Sequence, residues 1–565
     1  MPKQRRIIVI GLDGATWDLL KPWMDRGRLP NLKRMVDEGA SGELHSIYPP
    51  ETPAAWPSFM TGKNPGKHGV FDFLVYDPES KKERPVNAGA RRGRTIWDYL
   101  NDADKTSLVL NVPTTYPPQP IKGAMISGFL TPDGAPDYTH PRNLADELEA
   151  EYGRYPLFFK TMSFVSASSE HNARLFLDEC EWMDKVKFEV AEKLWDRYEP
   201  DFTMLHIWGT DRLQHELWNL IDPTHPRYNP RMAGEFGPRI EAYYTMLDEG
   251  IGRLAERVEP DGMTFVISDH GFGPTHYFID LNSWLLREGF ITLKDTFKVK
   301  LKRFLWDIGI TPYNATRVLQ PLLRFGSWFK AGAPEAVLRK SSGAINIPGM
   351  LNLDDVDWER TQAYAPFGWS GIYINTLGVR PNGSVDPADY NSIRDRIIER
   401  WRDLVNPATG APVDGPIHTN EEMYDGPFSA YGPDIMPLPL AEKYMPVCFF
   451  GFASKEPVYP NNTLFGNHRM EGIIAASGKG VQPGVITPSN LMDMAPTILH
   501  LLGLKAPDDM DGTILRELIT QEDLDARPPE TLEIEVEDTG EEGVGGLCEK
   551  EREEIRRKLE GLGYL

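Results

Sequence analysis

The chain of 565 residues is poor in cysteine, has no long apolar run and carries no excess of basic charge. Its three cysteines, Cys180, Cys448 and Cys548, lie far apart and form no CxxC pair. That spacing gives no disulfide framework and reads as a reducing compartment. No apolar stretch approaches the roughly 20 residues that span a bilayer. The apolar run behind the basic start MPKQRR stops at Asp13, too short for the core of a signal peptide. A cytoplasmic protein without a transmembrane segment is therefore expected. The net charge of -22 and the pI of about 5.1 argue against general nucleic-acid binding, which needs a basic face. They leave a local basic pocket open. No internal repeat is apparent. What remains is a globular composition, 41% hydrophobic, in a chain too long for one ordinary core. A large domain with insertions is expected.

Taken in order, residues 6–12 form an apolar, β-branched run that ends in Gly-Leu-Asp-Gly. This predicts a buried strand with Asp13 at its carboxyl end, the end where open α/β sheets bind ligands. A simple turn residue is the plain alternative for Asp13. Residues 17–38 read as one amphipathic helix. In YPPETPAAWPSFMTGKNPGKHGV, Pro53 suits the first position of a helix. Thr52 then suits the N-cap, beside free amides and the positive end of the helix dipole, a place that welcomes phosphate. Strands follow at 107–111 and 124–129, a mainly helical stretch at 141–198, and a buried strand at 202–208 that runs into Asp211 and His215. Four residues apart on a helix, those two share a face, which suits either a metal or a surface hydrogen bond. The strand at 263–268 ends in Asp269, His270 and Gly271, and Gly271 permits the turn that would aim both side chains at one ion. His468 precedes a last strand at 472–477. Alternating strands and helices predict a doubly wound, mostly parallel α/β sheet.

Several motifs in this order resemble the alkaline phosphatase superfamily, and within it the type I phosphodiesterase/nucleotide pyrophosphatase branch. They are IGLDG, T-P-x7-T-G-x2-P-x2-H-G from Thr52, D-x3-H at Asp211, SDHG, the N-H at His468, and the closing LMDMAPTILHLLGLKAPDDMDG. The resemblance implies two divalent ions, zinc by the donor types and manganese as the other option. It gives Asp13, Thr52, Asp269 and His270 to one ion and Asp211, His215 and His468 to the other. It makes Thr52 the nucleophile that attacks phosphorus, with a phospho-threonine then released by water. The expected partner is a small phosphate-ester substrate. A phosphomonoesterase, a phosphotransferase, or a binding protein that kept the fold are the alternatives. The chain departs from the branch at Phe73, where an Asn that contacts a phosphate oxygen is usual. Lys63, Lys67 or Arg212 would have to supply that donor, unless each is an ordinary solvated charge. Sulfatases on the same scaffold need a modifiable Cys or Ser, and no cysteine lies near Thr52.

The expected organisation is a catalytic core at 1–290 and 451–520, a helical insertion with an α+β cap at 291–450, and an acidic linker with a C-terminal amphipathic helix at 521–565. Residues 293–339 are basic and amphipathic. They read either as surface helices packed on the domain, or as a mobile cap or a surface that meets an anionic membrane. Residues 526–546 are rich in Pro and Glu and read as a flexible linker. The last helix would dock on the core or on a partner subunit. The oligomeric state is open.

Overall fold

A computed structural model describes residues 5–77, 82–160, 169–315, 349–366, 371–438, 443–448, 451–461, 463–534 and 547–562. The apolar run Ile7–Leu12 is a fully buried strand in the middle of a ten-stranded sheet. Unbroken apolar character suits a parallel strand covered on both faces. On one side it pairs in parallel with Phe202–Ile207, followed by Ser107–Leu110 and Gly123–Ile126. On the other it pairs in parallel with Met263–Ile267. Beyond that strand the sheet turns antiparallel through Glu471–Gly478, which also pairs with Ala40–His45.

Side chains alternate across the strands. Ile7 and Val9 join residues of the helices Thr52–Thr61, Ile96–Asp102 and Met494–Leu501 in one apolar core. The long helices Glu170–Tyr198 and Pro230–Val258 pack on each other and cover the sheet from the other face. The sheet is thus wound on both sides.

By contact density the chain divides into two compact units. The first comprises Met1–Pro274, Tyr424–Ser429 and Thr463–Leu562. The second comprises Thr275–Met423, Ala430–Asn462 and the last three residues. The second is α+β. Tyr277–Asp280 lies between Tyr444–Val447 and Val458–Pro460 in a three-stranded sheet. Trp284, Val299, Trp306, Ile397 and Trp401 share its core.

Three expectations need correction. Residues 17–38 form two helices, Trp17–Asp25 and Pro30–Glu38. Gly27 takes a φ of 72°, a left-handed conformation that ends the first, and Pro30 is set to start the second. The helix at Thr52 begins one residue early. Glu51 is its N-cap, without a side-chain capping bond, and Thr52 is already helical. The 526–546 segment is not wholly irregular, because Thr531–Leu532 pairs in parallel with Ala506–Pro507. Residues 317–332, part of the basic amphipathic stretch, lie outside the described residues, as do 535–546. The C-terminal helix Glu549–Leu562 docks on the first unit, with Ile555 and Leu559 fully buried and the Tyr116 hydroxyl donating to Glu551.

Candidate functional site

The three adjacent parallel strands Met263–Ile267, Ile7–Leu12 and Phe202–Ile207 end level with one another, Gly11 lying opposite both Ile267 and His206. Their carboxyl ends therefore deliver Asp269, Asp13 and, one turn into the helix Gly209–Ile221, Asp211 to one place. His215 follows Asp211 on the same helix face. His270 follows Asp269. His468 arrives on a two-stranded ribbon, opposite Phe272. Thr52 comes from the first turn of its helix. All seven side chains are buried in the first unit.

The distances describe two joined groups. The ligand atoms of Asp211, His215 and His468 lie within 4.8 Å of one another, and so do those of Asp13, Asp211 and His270. Asp211 belongs to both. Around the second group, Thr52 Oγ1 lies 3.3 Å from Asp13 Oδ1 and 3.5 Å from His270 Nε2. Asp269 Oδ2 lies 3.4 Å from His270 Nε2. Gly14, at φ 65°, lets the chain pass here. A Cβ on it would meet Phe272 at 2.9 Å and His270 at 3.2 Å, and its amide donates to Asp269 Oδ1.

Every histidine is held the same way. Nδ1 of His215 faces the carbonyl of Gly466, Nδ1 of His468 that of Pro50, and Nδ1 of His270 that of Gly271. A carbonyl only accepts, so Nδ1 carries the proton and Nε2 presents a lone pair to the common space. Two of these lone pairs, on His215 and His468, face each other at 2.9 Å. Like poles at that distance call for a proton or a cation between them.

The charges say the same. Burial pushes the Asp13 carboxyl up, although His206 opposes this. Burial and the neighbouring Asp13 push Asp269 well above the carboxylate range, and its Oδ2 has no hydrogen-bond partner among the described residues. Burial would raise Asp211 as well, but His215 and His468 hold it well below. Burial works against charge on His468, yet Glu51 and Asp211 keep its pKa well above the ordinary value. Burial, then His468, push His270 well below. Without a cation, the raised carboxyls of Asp13 and Asp269 favour holding their protons, while Asp211 stays ionised beside His468; a bound cation would let all three carboxylates ionise in this buried place.

Three further residues belong to the site. His206 Nε2 lies 2.7 Å from Asp13 Oδ2, and the Trp56 indole donates to the same oxygen at 3.1 Å. Oδ1 is thereby left for Thr52 and His270. Glu51 Oε2 lies 3.3 Å from His468 Nδ1. A signal was there for each: His206 is the lone ionisable residue in FTMLHI, Glu51 adjoins Thr52, and Trp56 is one turn on from it. The three cations named as phosphate donors each have an acidic partner. Lys63 pairs with Asp509, Lys67 with Asp511, and Arg212 with Glu216 at 3.3 Å. Phe73 is buried, edge-on to Phe129 at 5.7 Å.

The doubly wound sheet and the family model together place the chain in the alkaline phosphatase superfamily. The chain belongs to the type I phosphodiesterase/nucleotide pyrophosphatase family, whose model matches residues 7–322, a family of metal-dependent phosphoester hydrolases. Among solved structures it is similar to phosphonoacetate hydrolase from Sinorhizobium meliloti 1021 in complex with phosphonoacetate. That likeness has 16% identity and a TM-score of 0.52, over 88% of this chain and 95% of that one. It is also similar to murine ectonucleotide pyrophosphatase/phosphodiesterase 5, with 14% identity and a TM-score of 0.46, over 91% of this chain and 100% of that one. No curated relative matches the chain.

Proposed function

We propose that the chain hydrolyses phosphate esters, most simply diesters or pyrophosphates, with Thr52 as nucleophile and two divalent ions held by Asp13, Asp211, His215, Asp269, His270 and His468. The observation that carries this reading is the set of three imidazoles, each with Nδ1 at a backbone carbonyl and Nε2 turned toward buried carboxylates and one hydroxyl. Oxygen and imidazole donors of this kind suit zinc, with manganese the second choice. Bound there, two such ions would lower the pKa of the threonine hydroxyl and offset charge on the phosphoryl oxygens.

The chain's own groups supply the rest. Trp56 and His206 pin Asp13, whose Oδ1 then orients the Thr52 hydroxyl. Asp13 Oδ1 and His270 Nε2 are the two atoms within reach of its proton as Oγ1 attacks phosphorus. A bond from Oγ1 to phosphorus forms, the bond to the leaving alkoxide or phosphate breaks, and water then cleaves the phospho-threonine. The positive end of the helix Thr52–Thr61 lies beside the attacked group.

Thr52 makes no capping bond, so replacing it should not cost a cap. Thr52→Ser should stay active. Thr52→Asn should fold, bind metal and lose turnover roughly ten-thousand-fold or more, the scale of losing a nucleophile. A fully active Thr52→Asn enzyme would refute the mechanism. Comparing an aryl phosphodiester with its monoester on metal-loaded protein separates the diesterase from a phosphomonoesterase or phosphotransferase.

A further inference from the structure

The helix Phe297–Asp307 in the second unit turns one face inward, where Val299, Lys302 and Trp306 are buried and Lys302 pairs with Asp355. The opposite face is apolar too, and it is open. Phe297 is 85% exposed, Leu301 49%, Phe304 58% and Ile308 58%, with Ile310 at 48% just beyond. At about 3.6 residues per turn, positions 297, 301, 304 and 308 fall in one stripe along the helix. Lys298 and Lys300 project on the two flanks of that stripe, both exposed. Lys298 has no ion-pair partner among the described residues, and Lys300 pairs with exposed Asp295, a contact worth little in water. Residues 294–310 hold five Lys or Arg against two Asp in a protein of net charge -22.

An exposed apolar stripe of this length marks a binding surface. A second copy of the same face is disfavoured as its partner, because an isologous contact would set basic flank against basic flank. An anionic lipid surface satisfies both features, apolar side chains entering the acyl boundary and lysines meeting headgroups. The protein's overall negative charge does not forbid this. At physiological ionic strength the Debye length is about 8 Å, less than one helix diameter, so acidic groups on other faces are screened. We propose that the outer face of Phe297–Asp307 docks this protein on an anionic membrane surface. Docking of this kind requires nothing of the Thr52 site.

The test is cosedimentation of the full chain with vesicles of phosphatidylcholine alone and of phosphatidylcholine mixed with phosphatidylglycerol. Wild type should sediment with the mixed vesicles, less so as salt rises, and not with the neutral ones. K298Q/K300Q should weaken binding by about thirtyfold, at about 1 kcal/mol per basic residue. F297S/L301S/F304S should abolish it, while V485S, which changes an exposed apolar residue of the first unit, should not. Absence of sedimentation, or undiminished binding by the triple variant, overturns the proposal. So does a wild-type dimer that the triple variant dissociates, which would make the stripe a contact between copies.

Discussion

The Thr52 cluster and the helix Phe297–Asp307 break the inside–outside rule in opposite senses. In the first unit, four acidic side chains, counting Glu51, and four imidazoles, counting His206, are withdrawn from water. In the second, four apolar side chains on one helix are given to it. Lone exposed apolar residues are commonplace, but a buried cluster of carboxyl groups and a continuous exposed stripe are not. On the readings proposed above, a cation completes the first and an apolar phase the second. The buried cluster is also over-determined, with His215, His270 and His468 each tied to a backbone carbonyl. The exposed stripe is held only from its inner side.

The strongest way to break the comparison is at Asp211, the carboxylate common to both ligand groups. Asp211→Asn should lower the content of both ions and abolish turnover, whereas Asp269→Ala or His468→Ala should each lose one ion. Elemental analysis of the purified variants decides it, and active protein free of metal would end the cation reading.

His68 sharpens the comparison, because it is buried, polar and yet satisfied. Val70 N–H donates to its Nδ1, and its Nε2 faces the Ser58 hydroxyl at 2.8 Å. Burial, then Arg91 and Lys63, lower its pKa from 6.5 to about 3. The unfolded chain therefore takes up this proton first, and the group's contribution to stability is lost as pH falls from about 6.5 toward 3. The slope from one such group is at most about 1.4 kcal/mol per pH unit. His68→Gln should flatten that part of a denaturation-versus-pH curve and leave metal content unchanged. An unaltered curve would show that the ring is not held neutral.

The smallest effect belongs to the exposed stripe. Phe297→Ser should change the unfolding free energy by no more than about 0.5 kcal/mol, as surface changes do. A loss of about 3 kcal/mol or more, the scale for a buried Phe, would mean that the stripe is covered in solution.

The parallel strands were legible because they are unbroken apolar runs, and Asp13, Asp211 and Asp269 stood out because each follows one. That the three meet was not legible from composition or periodicity. It depends on strands from residues 7, 202 and 263 being neighbours with level ends, and the order of strands in a sheet is not a local property. The same reason hid His206, whose partner Asp13 is 193 residues away. Thr52 was misplaced by one position because Thr, Pro and a following apolar run describe a cap equally well on either side of the boundary. Its hydroxyl was drawn away from the helix by Asp13 and His270, which no cap rule contains. Residues 17–38 failed differently, since the amphipathic spacing continues across Gly27 while the backbone does not.

The strand Glu471–Gly478 lies between Met263–Ile267 and Ala40–His45, hydrogen-bonded to both. On a ribosome, roughly two hundred residues are made between the first of these edges and the strand that covers it, which at about 5–20 residues per second is roughly 10–40 s. The second unit's described segments are complete by Asn461, before the first unit can close. Through that interval the nascent chain carries an open strand edge, apolar but for Thr264, the kind that invites pairing with another chain. The unit that begins first therefore finishes last, and shielding of Met263–Ile267 during synthesis becomes a condition of its yield.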